Sequence, residues 1–392
     1  MDFHFTDDEE RFRQEIRRFL ASEVPTDFET GIAGEVETEE EWEFSRSITR
    51  KLAQRGWLTV AWPREHGGEG STIKQFILSE EMAYRGAPGL DTYGIQILAP
   101  TLIAHGTEEQ KRRFLPGIAS GETVWCQGYS EPGAGSDLAS LSTRAVEDGD
   151  SFVINGQKVW TSSGHRADWY YVLVRTNPDA PKHKGLSFLL VDMKTPGITV
   201  RPLVTLAGLS SFCEVFFEDV NVPKENIVGE KDNGWVVSMS AMNFERSGVH
   251  RLAAGLKNLS RITEFFGEMG RDNSQPSGKY VMVRQKLAEF AVEGMVGRML
   301  AYRVADMHRR GLSPIHEASM SRMYACELQQ RVARVGMEVL GLYGQLEVNS
   351  KWAKLHGRIE REYLVTIGAT IAAGTSEVQR NIIALRGLGL PS

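Results

Sequence analysis

The chain reads as a multidomain α+β protein: a helical N-terminal part, a central antiparallel β barrel or sheet, and long C-terminal helices. Two observations carry this reading. Apolar residues recur at helical spacing up to about residue 119 and again beyond Pro223, whereas short β-branched and aromatic runs joined by turns fill the stretch between. A third sets the scale, since 392 residues correspond to two or three domains at about 150 residues each.

The first helix is announced by Thr6 and, three residues later, Glu9, a capping-box pattern followed by Phe12, Ile16, Phe19 and Leu20 at helical spacing. Helices are expected over about 40–55, 73–84, 95–105 and 108–119, broken by His66-Gly67-Gly68-Glu69-Gly70 and Ala87-Pro88-Gly89. Strands are expected over 151–154, 158–161, 169–175, 186–191, 198–200 and 213–217, with Asn155-Gly156 as a type I′ hairpin signal. Short connections in place of 10-to-15-residue helices favour antiparallel pairing. Helical periodicity returns over 235–266, 280–311, 316–344 and about 351–371, with 270–278 as a polar connection. Domain boundaries are placed at 1–122, 123–232 and 233–392.

Composition removes several classes of function. Hydrophobic residues at 41% and charged residues at 24% are ordinary for a globular protein, and no apolar run reaches the ~18 residues of a membrane span. A net charge of -6 offers no general attraction to nucleic acid or an anionic membrane. Cys126, Cys213 and Cys326 form no CxxC pair and the nine histidines no ligand spacing, so neither a disulfide framework nor a metal site is expected. The acidic first ten residues lack an apolar or Arg-rich leader, which makes a cytoplasmic location, or prior processing, the expectation. No GxGxxG after a strand, no Walker-type loop and no HExxH is present. Ser130 in Gly128-Tyr129-Ser130-Glu131-Pro132 resembles a nucleophile elbow, but proline replaces its second glycine.

Three segments carry chemistry. Small residues at 133–136, after Gln127-Gly128-Tyr129-Ser130-Glu131-Pro132, form either an ordinary Pro-Gly turn or a cradle of backbone N–H groups for phosphate. Asn155-Gly156-Gln157-Lys158-Val159-Trp160-Thr161-Ser162 flanks an aromatic residue with hydroxyls, as a flat heterocycle requires; taken alone, Trp160 also reads as core. Met242, Glu245, Val249, Leu252, Leu256 and Leu259 follow at intervals of three and four, so Glu245 interrupts an apolar stripe. Such a carboxylate is either a general base with a raised pKa or an ion-pair partner of Arg246.

Together with Pro63-Arg64-Glu65-His66-Gly67-Gly68 and Gly374-Thr375-Ser376-Glu377-Val378-Gln379-Arg380, these blocks occur in the order and spacing of the acyl-CoA dehydrogenase flavoenzymes, which the chain resembles over nearly its whole length. The resemblance implies a C-terminal four-helix domain and FAD held by the β domain and the last helices. It implies α,β-dehydrogenation of an acyl-CoA, with electrons passed to an electron-transfer flavoprotein. On the cofactor it places Gln127, Tyr129, Ser130, Gly135, Ser136, Trp160, Thr161, Ser162, Thr375 and Glu377. On the substrate it places Ser136, Arg246 and Gly374.

Two departures from the family pattern matter. Many members carry their catalytic carboxylate just before Gly-Thr, where this chain has Ala373; isovaleryl-type members also have alanine there and take the base from a Glu-Arg pair that Glu245-Arg246 resembles. Glu245 is therefore the implied base, with the Ala373 backbone N–H kept as oxyanion donor and a branched or bulky acyl group as substrate. The family's RxxFG and QxxGGxG segments, which complete a neighbouring subunit's flavin site, read here Ser274-Gln275-Pro276-Ser277-Gly278 and Met337-Glu338-Val339-Leu340-Gly341-Leu342-Tyr343-Gly344. That loss resembles the α2β2 enzymes of steroid-degrading actinobacteria and sets an assembly with a related subunit against a homodimer or homotetramer. The competing readings are an oxygen-reacting oxidase or monooxygenase relative and a non-catalytic partner subunit.

Overall fold

The computed structural model describes residues 5–26, 28, 30, 36–245, 248–272 and 278–391, and gives only the backbone of 243–245, 270–272, 278 and 279. Among these residues the helices, in chain order, are α1 Asp7–Glu23, α2 Glu39–Gln54, α3 Thr72–Arg85, α4 Ala99–His105 and α5 Glu108–Ala119. Strands β1 Trp125–Gly128, β2 Arg144–Asp148, β3 Ser151–Ser162, β4 Trp169–Arg175, β5 Leu186–Asp192, β6 Ile198–Leu203, β7 Phe212–Pro223 and β8 Ile227–Val228 follow. The chain continues with α6 Gly234–Glu245, α7 Val249–Asp272, α8 Gly278–Arg309, α9 Ile315–Leu340, α10 Arg358–Ala369 and α11 Ser376–Ile382. No helix among the described residues is long and apolar enough to cross a membrane.

The chain folds as two compact units, each assembled from separated segments: residues 1–35, 71–88 and 246–392 in one, 36–70 and 89–245 in the other.

In the first unit α7–α10 pack around an apolar centre of Leu259, Ile262, Leu287, Phe290, Leu328 and Val332, and Phe76 of α3 joins Val249, Ala301 and Ala305 in a second cluster. The capping box at Thr6 forms as expected, with the Glu9 N–H donating to Thr6 Oγ1 at 3.3 Å and the Thr6 N–H to Glu9 Oε2 at 2.8 Å. A buried charge cluster ties α1, α3 and α8: Arg13 Nη1 lies 2.8 Å from Glu80 and 2.6 Å from Glu81, and Arg298 Nε lies 2.7 Å from Glu80. Burial alone would raise the Glu80 pKa; Arg298 and Arg13 outweigh it and hold the carboxyl below its ordinary value.

In the second unit the strands form one sheet, ordered β6-β7-β3-β2-β4-β5-β8, with β1 paired to β4. The path has two ends, so the sheet is open and not a closed barrel. Pairing is antiparallel except along one edge of β4, where β1 and β2 add in succession and in parallel. Phe114 of α5 packs edge-on against Trp125 and Trp169, which stack at 5.5 Å.

Two local expectations are corrected. Asn155-Gly156 is not a turn: it lies inside β3 opposite a bulge in β7, where Ile154 pairs with Val220 and Gly156 with Phe217. Glycine is needed there because a Cβ would stand 2.6 Å from Thr143 Oγ1, at φ 149°. The hairpin is one step earlier, with Asp148 opposite Ser151 and Gly149 at φ 54°. The periodicity over 235–266 is not one helix either, since α6 ends at Glu245 and α7 begins at Val249 after Gly248 at φ 69°. Glu245 is therefore the last described residue of α6, and the apolar stripe is interrupted at Gly248.

Candidate active site

The sheet unit brings the first two chemical segments together. The Val159 N–H donates to Ser130 O at 2.9 Å, and Lys158 Nζ donates to Tyr129 O at 3.0 Å, so β3 runs directly beside the segment that follows β1. Between Lys158 and Thr161, β3 advances three residues while β7 advances two, from Val215 to Cys213. That bulge carries Trp160 at φ 63°, a backbone conformation that costs an L residue ~1–2 kcal/mol. Its indole is 58% exposed, so the strained turn holds a large flat apolar surface in solvent. Strain of this kind at a non-glycine residue persists where a site over-determines it.

The hydroxyls beside Trp160 divide. Thr161 turns inward, is fully buried, and shares a 2.7 Å hydrogen bond with the Tyr170 hydroxyl, so its side chain serves the core. Ser162 stays half-buried and accepts from the Tyr93 hydroxyl at 2.7 Å. Tyr93 comes from a π-helical turn, Thr92–Leu98, capped by Asp91, whose carboxylate accepts from the Gly94 N–H at 2.9 Å. Burial pushes the Asp91 carboxyl up to about 6. Gln127 Nε2 donates to the Tyr171 hydroxyl at 3.2 Å, and Tyr129 is buried.

Beneath these residues lies an ion pair that sequence reasoning passed over. Lys158 is fully buried on β3 and places Nζ 2.8 Å from Glu131 Oε1. Glu131 also accepts from the Ser142 N–H at 2.7 Å, the Ser142 hydroxyl at 2.9 Å and the Thr143 N–H at 2.9 Å. Burial pushes the Glu131 carboxyl up, but Lys158 and these donors prevail and hold it well below the carboxylate range. Burial draws the Lys158 ammonium down in spite of Glu131. The available signal was strand alternation, which puts Lys158 on the same face of β3 as the buried Phe152 and Ile154.

The glycine-rich segment after Glu131 is a tight turn closed on itself. Glu131 and Ala134 exchange N–H···O bonds of 3.0 and 3.1 Å, so the Ala134 N–H is taken. Gly133 and Gly135 are not at positive φ. Gly135 and Ser136 are exposed, and the neighbouring Asp137 is held by Lys182 at 2.9 Å.

The helical unit carries the C-terminal segment. Ala373 adopts φ 48° and Gly374 φ 90°, after which Thr375 caps α11 by accepting from the Val378 N–H at 3.2 Å. Arg322 of α9 donates to Ala372 O, and Gln379 Nε2 donates to Ala373 O at 3.3 Å and Gly374 O at 3.2 Å. Among the described residues no acceptor is paired with the Ala373 N–H, and Ala373 is exposed. Glu377 is exposed, its carboxyl held low by its own backbone N–H and the Thr375 hydroxyl. Arg322 did not stand out in the sequence, because nothing local marks a side chain that reaches across 50 residues; Gln379 lies inside the Gly374–Arg380 block, whose composition does not say that it holds the carbonyls five and six residues back. The Glu245 side chain and all of Arg246 lie outside the described residues.

Comparison with known proteins gives three matching family descriptions. Residues 6–122 match "Acyl-CoA dehydrogenase, N-terminal domain", 126–220 "Acyl-CoA dehydrogenase, middle domain" and 232–388 "Acyl-CoA dehydrogenase, C-terminal domain". The chain is 38% identical over 388 residues to the acyl-CoA dehydrogenase IpdE1 of Mycobacterium tuberculosis, covering 98% of each. Among solved structures it is similar to the Tcur3481-Tcur3483 steroid ACAD, with a TM-score of 0.87 and 34% identity over 100% of both chains. It is likewise similar to the ChsE4-ChsE5 complex of Mycobacterium tuberculosis, with a TM-score of 0.85 and 36% identity over 100% of both.

Proposed function

This chain belongs to the acyl-CoA dehydrogenase family, an assignment that implies a flavin, and we propose that it oxidises a bulky, steroid-derived acyl-CoA to the α,β-enoyl thioester with FAD as cofactor and an electron-transfer flavoprotein as acceptor. The observation that carries the reading is the Ala372–Thr375 turn, with a strained, exposed Ala373 whose N–H has no partner among the described residues, preceding a capped helix. The sheet unit fits a flavin on its own chemistry. Trp160 offers an exposed aromatic face, Ser162 a hydroxyl oriented by Tyr93, and the Gln127–Ser130 segment runs alongside. When bound, FAD supplies the hydride acceptor that no amino-acid side chain provides.

The protein's own part is to acidify and take the α-proton. The Ala373 N–H donates to the thioester oxygen, where negative charge collects as the proton departs. Alanine at 373 cannot accept that proton, so the base is Glu245, with Arg246 and Gly374 on the substrate side and Ser136 toward the CoA arm. Gln127, Tyr129, Ser130, Gly135, Ser136, Trp160, the Thr161 backbone, Ser162, Thr375 and Glu377 hold the cofactor. The steroid class is suggested by the similarity to the Tcur3481-Tcur3483 enzyme.

The assembly we propose pairs this chain with a related subunit. Glu338 stands where the family has glutamine and is engaged by Lys286 at 2.9 Å, while Leu342 replaces a glycine and is 82% exposed. A carboxylate there lacks the N–H donors with which glutamine would reach a neighbouring flavin. Residues 274–277 lie outside the described residues. Val292, Met295, Val296 and Met299 of α8 form an exposed apolar row at i, i+3, i+4 and i+7, suited to association. Full flavin occupancy in the chain purified alone counts against the heteromer.

The activity is tested by anaerobic mixing with straight, branched and steroid-derived CoA thioesters, following loss of the flavin's visible absorption. Glu245→Gln is expected to slow that loss by on the order of 10²–10⁴-fold while CoA-thioester binding persists. Unchanged turnover removes Glu245 from the chemistry.

A further inference from the structure

We propose that Arg322 and Gln379 are positioning residues that keep the Ala373 N–H free for the thioester oxygen by holding three successive carbonyls, those of Ala372, Ala373 and Gly374, turned the other way. The inference rests on the acyl-CoA reading above and assigns work to two residues which that reading leaves idle.

The physical step is the planarity of the trans peptide, in which C=O and the following N–H point in opposite directions. Fixing the Ala372 carbonyl on Arg322 therefore fixes the Ala373 N–H on the far side of the same plane. Gln379 does the same for the next two planes, donating to Ala373 O at 3.3 Å and Gly374 O at 3.2 Å. Both clamps are internal, with Arg322 4% and Gln379 1% exposed, so the donors themselves are withdrawn from water. The exposed side of the turn keeps the N–H.

Two further observations agree. Ala373 at φ 48° is a conformation alanine does not choose unaided, so surrounding bonds must impose it. Gly374 is required by the clamp itself, because a Cβ there would lie 2.6 Å from Gln379 Nε2. The bond from Arg322 is also charge-assisted: a cation on the carbonyl polarises the peptide and strengthens its N–H as a donor. Arg322 thus sets both the direction and the strength of the donor, whereas Gln379 fixes the two planes that follow and so holds the Ala373 turn in the conformation that presents it.

The test uses the FAD-loaded full-length protein, in the assembly in which it purifies, titrated with acetoacetyl-CoA over a pH series. This ligand carries the same thioester oxygen, and its enolate is read by near-ultraviolet absorption. An intact donor lowers the pH at which the bound ligand ionises. In Arg322→Gln and Gln379→Met that pH is expected to return upward by up to about two units, the equivalent of a ~10²-fold loss. The value of kcat is expected to fall with it while KM changes by less than about threefold, and Arg322→Lys recovers most of the shift. Melting temperature and FAD content identify variants that are merely misfolded; if Arg322→Gln does not accumulate, Gln379→Met carries the same expectation. Ionisation at the wild-type pH in well-folded variants overturns the proposal. Failure of the unmodified protein to bind or ionise the thioester instead sinks the acyl-CoA reading, and this inference with it.

Discussion

Replacing Lys158 with methionine removes a cation from a fully buried pair and leaves Glu131, 6% exposed, with only neutral donors. Removing one member of such a pair costs ~3–5 kcal/mol, most of it the penalty of the charge left behind. The sign of the pH dependence follows from the two carboxyl states. With Lys158 present, Glu131 titrates below its unfolded value of about 4.5, so its contribution is complete above that pH and fades as pH falls beneath it. Without Lys158, burial pushes Glu131 above that value, so the variant is penalised at neutral pH and relieved as acid protonates the group. The stability gap is therefore largest near pH 7 and narrows steadily toward pH 4. Urea unfolding at a series of pH values measures it, and Lys158→Met/Glu131→Gln is expected to recover much of the loss because no buried charge remains. A gap of less than about 1 kcal/mol at pH 7, or one constant with pH, refutes the argument that this pair anchors the Tyr129–Glu131 segment.

Trp160→Ala is expected to leave thermal stability within ~1 kcal/mol, since the ring is mostly exposed, while flavin absorbance per chain drops after gel filtration. Gly374→Ala places a methyl against Gln379 at a positive φ and is expected to cost ~1–3 kcal/mol by denaturant titration, with activity lost alongside. Glu80→Gln leaves Arg13 and Arg298 without their shared carboxylate; the partial exposure of Arg298 limits the cost to ~2–3 kcal/mol. Because Glu80 titrates below its ordinary value, melting curves of wild type and this variant are expected to converge as pH falls below about 4.5.

The α, β, α order was legible because it depends on local periodicity: the capping box at Thr6 and the apolar spacing of α1 need no distant partner to be recognised. What the sequence misassigned depends on long-range pairing. Asn155-Gly156 carries the residues of a hairpin, yet β7 runs beside it and imposes a bulge, whereas the less conspicuous Gly149-Asp150 makes the turn. The stripe through Glu245 has the right intervals for one helix, but periodicity does not register the break before Val249. At the site, Trp160 and the Gly374-Thr375 segment stood out by their composition. Tyr93 and Arg322 did not, because each acts on a partner that only the fold brings near, while Lys158 and Gln379 lie inside conspicuous blocks with no local signature of what each will hold.

The interleaving of the two units sets an order on the ribosome. The sheet unit has all its residues once position 245 has emerged, so it can close while the last third of the protein is still being made. Helices α1 and α3, by contrast, are translated early but belong with segments beginning at residue 246. Arg13 and Glu80 must wait, their charges hydrated and their apolar neighbours uncovered, until Arg298 arrives. Nascent chains stalled shortly after residue 245 should therefore present a finished sheet alongside two sticky orphan helices, an attractive client for a holding chaperone.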